Sequence, residues 1–116
     1  MTLTTMRSHM FRVAVATALL ALSAASVAAQ PGSSACRVDL EANDKRFEQT
    51  MAKLESVKNG TQAQKCEAYR SHVKIMEQGR EVFARCNTGT TQRENVGQMN
   101  DSIGDFQELI RRRCTR

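Results

Sequence analysis

Residues 61–89 read TQAQKCEAYRSHVKIMEQGREVFARCNTG, and this stretch decides the fold. Cys66, Tyr69, Val73, Met76 and Phe83 recur at helical intervals, with Cys86 three positions later. That spacing lines one face of an α-helix. Thr61 followed by Gln64 has the pattern of a capping box at the start of the helix. Asn87, Thr88 and Gly89 interrupt the chain after it. The predicted helix therefore carries a cysteine near each end, roughly 30 Å apart at 1.5 Å per residue. The two cannot bond to each other, because a disulfide needs Cα atoms within about 7 Å.

Working outward, the flanking segments show the same period. Upstream, Leu40, Phe47, Met51 and Leu54 form an apolar stripe, with Cys36 one turn before it. Downstream, Val96, Met99, Ile103, Phe106 and Ile110 form another, with Cys114 four residues later. No stretch alternates with period two long enough for a strand. Asn59-Gly60 is expected to close the first helix by a left-handed turn. Thr91 with Glu94 is expected to cap the third as a second capping box. Arg111, Arg112 and Arg113 suit a final turn, where the helix dipole favours positive charge. Gly97 and Gly104 each lower helix propensity by about 1 kcal/mol relative to Ala, which makes the third helix the least secure.

The fold class expected is all-α: a small three-helix up-down-up bundle with short loops. That geometry selects the cysteine pairing. Cys36 and Cys66 begin two antiparallel helices and so lie at opposite ends of the bundle. Only Cys36–Cys86 together with Cys66–Cys114 joins cysteines at the same end. At about 100° per residue, Cys66 and Cys86 also point roughly 200° apart, one toward each neighbouring helix.

The four cysteines all follow residue 29, and what precedes them does not read as part of a fold. Arg7, His9 and Arg12 form a basic opening without acidic residues. An uncharged, mostly apolar run over residues 13–29 ends in Ser26-Val27-Ala28-Ala29. This is the three-part pattern of a secretory signal, with cleavage expected after Ala29 and the bond after Ala28 next in order. A retained anchor is the rival reading, since seventeen residues sit at the lower edge of a membrane span. Lipoprotein processing at Cys36 does not fit, because Ser33 stands where an apolar residue is required. The expected organisation is a cleaved signal over residues 1–29, a flexible segment over 30–35 and a disulfide-linked helical domain over 36–116.

Cleavage would leave 87 residues carrying 15 Lys and Arg against 12 Asp and Glu. A domain of this size has a thin stability margin. With Phe47, Tyr69, Phe83 and Phe106 as its only aromatic residues after cleavage, and no Trp, it gains from cross-links. An even cysteine number in an exported small chain argues for disulfides. Spacings without a C-x-x-C pair argue against a zinc site, and the lack of C-x-x-C-H argues against covalent haem.

Few residues carry chemistry. His72 is the sole histidine after the signal and lies within the apolar arc of the second helix, one turn before Met76. Together with Met51, Met76 or Met99 it could ligate haem or Cu(I), although methionines at these positions are also what core filling requires. No nucleophile elbow accompanies His72. The one-turn carboxylate pairs Asp101 with Asp105 and Glu77 with Glu81 read as solvated surface. Arg111, Arg112, Arg113 and Arg116 form the densest charge feature, at the bundle end shared with Lys58 and Lys65. They suit an anion patch or simple dipole complementation. Asn59-Gly60-Thr61 and Asn100-Asp101-Ser102 match glycosylation sequons, which matter only in a eukaryotic secretory pathway.

These features lead to an expectation of a periplasmic or secreted, non-enzymatic protein without a cofactor. Its role would be binding or interaction with a protein or another component of the bacterial cell envelope, with no nucleic-acid partner and no membrane span once the signal is removed. The rival expectations are a haem or copper carrier using His72 and a methionine, and a periplasmic chaperone.

Overall fold

The computed structural model describes residues 30–114; residues 1–29, where the secretory signal is expected, and Thr115 and Arg116 lie outside the described residues. Three helices follow one another: α1 (Ser34–Val57), α2 (Gln62–Cys86) and α3 (Gly89–Arg113). They form the expected up-down-up bundle, cross-linked by Cys36–Cys86 and Cys66–Cys114, with Cα–Cα separations of 5.3 and 5.7 Å. Helix α2 is the central element and packs on both neighbours. No Cα of α1 comes within 8 Å of one of α3.

The helix ends show how local sequence sets the elements. Ser33 accepts a hydrogen bond from the Cys36 amide, so α1 starts at Ser34 and takes in the last two residues of the segment expected to be flexible. At the start of α2 both halves of the Thr61–Gln64 capping box are made. The first loop differs from expectation. Helix α1 ends at Val57 with Lys58 in a right-handed conformation, and Gly60 is not left-handed. Bonds from Lys58 N–H to the Glu55 carbonyl and from Gly60 N–H to the Val57 carbonyl tighten the turn instead. Gly60 serves another need: a Cβ there would lie 2.6 Å from Gln64 Oε1, the atom that completes the capping box.

The third helix also begins earlier than its sequence suggests. Thr88 is its N-cap, without a side-chain bond, and Thr91 lies inside the helix rather than capping it with Glu94. Gly89 takes a φ of +60°, which makes the sharp entry that places α3 back against α2. Gln92 then donates to the Ala84 carbonyl at 2.6 Å and ties the two helices together beside the loop. Despite Gly97 and Gly104, α3 runs unbroken to Arg113.

The core is small and divided. One cluster joins Cys36, Val82 and Cys86 with Leu40 beside them; the other joins Val73, Met76 and Ile103 with Met99, Phe106 and Ile110 around them. The only buried residues of α1 are Cys36, Asn43 and Thr50. These step by seven and meet Cys86, Gly79 and His72, which step by seven in the opposite direction along α2. An antiparallel heptad seam results, and two of its three layers contain a polar side chain. Gly79 permits close approach at the middle layer: a Cβ there would overlap the Phe47 ring and lie 3.0 Å from Asn43 Oδ1.

Candidate functional site

Three places on this frame gather polar or titratable side chains. The first centres on His72, buried at the junction of all three helices. Its Nδ1 lies 3.0 Å from the Thr50 hydroxyl of α1, and its ring stands 4.4 Å from the Phe106 ring of α3, centroid to centroid. Phe106 in turn meets Tyr69 edge-on at 5.9 Å. Burial disfavours the charged imidazolium and lowers the His72 pKa below its usual value. The neutral ring has one donor and one acceptor nitrogen, and Thr50 takes one of the two.

The methionines proposed as partners of His72 separate in the structure. Met76 is buried with Val73 and Ile103, and Met99 is half-buried beside them. Met51 is 58% exposed and does not belong to the core its sequence register suggests. Its position, one residue past Thr50, turns it away from the α1–α2 seam. Among the described residues, no group of three or more His, Cys, Asp or Glu side chains is placed to hold a metal ion. Asp101, Asp105 and Glu81 are exposed and Glu77 is half-buried.

The second place is the end of the bundle where α1 finishes, α2 starts and α3 finishes. A cleft of about 330 Å³ there is lined by Gln62, Ala63, Cys66, Arg70, Arg113 and Cys114. Much of its donor capacity is already taken up. Gln62 donates to the Arg113 carbonyl at 2.9 Å and Arg70 to the Cys114 carbonyl at 3.1 Å, covering the orphan carbonyls at the end of α3. Arg111 and Arg112 both bond Glu108, and those hydrogen bonds hold its carboxyl below the usual range. Lys58 is paired with Glu55. Of the arginines read as an anion patch, Arg113 lines the cleft, Arg111 and Arg112 bind Glu108, and Arg116 lies outside the described residues.

The third place escaped the sequence reading. On the α1–α2 surface a cleft of about 200 Å³ is lined by Arg46, Gln49, Thr50, Lys53, Ser71 and Ile75. Arg46 Nε is sealed from solvent and has no hydrogen-bond partner. Lys53 reaches only Glu67, at 3.9 Å, with both side chains well exposed. The available signal was the heptad Cys36, Asn43, Thr50, which marks the seam face and places Arg46 and Lys53 along its border. The apolar stripe Leu40, Phe47, Leu54 drew the reading to the neighbouring face.

No protein-family model matches the chain, and neither a curated protein nor a solved structure shows significant similarity to it. Two intramolecular disulfides point to an oxidising compartment outside the cytoplasm. Among the described residues, no helix is long and apolar enough to cross a membrane.

Proposed function

We propose that the chain is exported by its N-terminal signal to the bacterial periplasm or beyond, and that it works there as a non-enzymatic binding protein of the cell envelope. The observation that carries this reading is the paired cross-linking of a domain with a very small core. Among the described residues eight apolar or cysteine side chains are buried, and α1 and α3 together bury only four residues, Cys36, Asn43, Thr50 and Ile103. Such a frame suits a compartment where disulfides persist, and it offers surface rather than an enclosed reaction chamber. His72, the one histidine among the described residues, is engaged with Thr50 and packed on Phe106, and burial lowers its pKa.

Native mass spectrometry with an absorbance spectrum, on protein recovered from the periplasm of an expressing bacterium, tests the reading. The expected mass is that of residues 30–116 less four hydrogens, with no absorbing group. A mass retaining the signal or free thiols would contradict export and oxidation. Added mass with a haem or copper signature would replace the binding role with a carrier role for His72 and Met76.

A further inference from the structure

We propose that the cleft between α1 and α2 bordered by Arg46 and Lys53 is a binding site for a tetrahedral oxyanion, a phosphate or sulfate group. Arg46 and Lys53 are seven residues apart on α1, about 10 Å along the helix, so both reach the same cleft from one side. Gln49 lies between them on α1, and Ser71 of α2 supplies a hydroxyl from the opposite wall. A planar carboxylate is satisfied by one guanidinium fork. Donors arriving from two helices, with a guanidinium and an ammonium among them, match an anion that accepts in three dimensions.

The charge state of the cleft supports the same reading. Arg46 makes no ion pair among the described residues, and its Nε has lost water without gaining a partner. A buried donor left unpaired is costly, and a small turn of the Arg46 side chain that brings Nε–H to an anion in the cleft would remove that cost. Lys53 is held only by a long, exposed contact to Glu67, of the kind that contributes little and yields to a better partner. The basic end of α3 offers a larger cleft, but two of its lining donors, Gln62 and Arg70, already serve backbone carbonyls, and Arg111 and Arg112 beside it are held by Glu108, which leaves Arg113 to it. The 200 Å³ of the α1–α2 cleft accommodate a single anionic group with a few attached atoms, below the size of a typical enclosed small-molecule pocket. The ligand is therefore either a free oxyanion or the headgroup of a larger envelope molecule.

This site names a ligand class for the binding role proposed above. The test is an amide and arginine Nε–H NMR titration of the oxidised protein. The probes are inorganic phosphate, inorganic sulfate, and vesicles of phosphatidylglycerol in phosphatidylcholine. Saturable shifts at Arg46 Nε–H and at the amides of Gln49 and Ser71 are expected. Arg46→Gln and Lys53→Gln should each weaken binding at least tenfold, while Arg113→Gln leaves it unchanged. Lys53 is exposed, so Lys53→Gln keeps the test valid should Arg46→Gln disturb folding. A response to the inorganic anions identifies a free oxyanion as sufficient; a response to vesicles alone identifies a headgroup. No saturable shift with any of the three probes, or shifts that survive both substitutions, would overturn the site. A protein that is exported, oxidised and cofactor-free but silent in this titration would lose the site and keep the binding role.

Discussion

Along the seam between α1 and α2 the facing layers are Cys36 with Cys86, Asn43 with Gly79, and Thr50 with His72. Along the seam between α2 and α3, Val73, Met76 and Ile103 are buried together, with Met99, Phe106 and Ile110 around them. Both seams are antiparallel, and both end in a disulfide. They are held differently. The Asn43 amide is fully buried with neither Nδ2 nor Oδ1 hydrogen-bonded, so its burial opposes folding rather than driving it. Leu40 and Phe47, the apolar residues of α1 that reach the first seam, remain half-buried. The polar layers give α1 its register, and the Cys36–Cys86 bridge keeps it on the bundle. The second seam rests on apolar burial, and its bridge is an addition to it.

The largest effect should come from removing the bridges in turn. The two close loops of nearly equal length, 50 and 48 residues, so each contributes about 4 kcal/mol by loop-closure entropy. The equality makes the comparison clean. Cys36→Ser with Cys86→Ser should lose that amount and also the α1 helix, seen as a drop in far-ultraviolet circular dichroism before urea is added. Cys66→Ser with Cys114→Ser should lower the urea midpoint while α3 keeps its helicity.

Core truncation sharpens the contrast next. Ile103→Ala should cost about 2–5 kcal/mol, the usual range for a buried Ile. Asn43→Ala should cost clearly less, although Asn43 is the more buried of the two, because truncation also removes two unsatisfied polar atoms. Urea unfolding of both variants checks the order, and equal losses would mean that the first seam depends on packing as much as the second.

Glycine substitutions give smaller changes of opposite sign. Gly79→Ala should destabilise by about 1–3 kcal/mol, because the new methyl meets the Phe47 ring and pushes α1 outward. Gly104→Ala meets nothing within 4 Å and should stabilise α3 by about 1 kcal/mol. Thermal unfolding of the pair reads both signs.

The smallest effect is that of pH. The His72 pKa is lowered in the folded state by burial, so below the unfolded histidine value of about 6.5 the unfolded chain binds the proton first. Stability should be level above that pH and fall as pH drops toward the folded His72 pKa. The slope should correspond to at most one proton. A His72→Gln variant should show a flat profile between pH 7 and 5, and an unchanged slope would place the titration elsewhere.

Much of this frame was legible in the residues. The stripe from Cys66 to Phe83, the capping box at Thr61 and the same-end argument for the cysteines lead to the helix order and both disulfides, because each depends on local spacing or elementary distance. The loops were less legible. Gly60 carries the usual signature of a left-handed cap but serves to clear Gln64, and Gly89, rather than Thr91 with Glu94, sets the start of α3. The seam of α1 was misplaced for a similar reason. Leu40, Phe47, Met51 and Leu54 satisfy apolar periodicity, yet the buried line is Cys36, Asn43 and Thr50. Periodicity reports which residues prefer to leave water; it does not register a glycine opposite that lets a polar side chain come closer. The Arg46–Lys53 cleft was hidden with it, since its two walls belong to helices far apart in sequence.

Native-state hydrogen exchange on the two disulfide variants tests the unequal seams most directly. Without Cys36–Cys86 the amides of α1 should exchange near the rate of an unfolded chain while residues 73–86 and 96–110 stay protected. Without Cys66–Cys114, α3 should fray only in its last turns. Protection that persists across α1 in the first variant, or that falls evenly over all three helices in both, would contradict unequal seams.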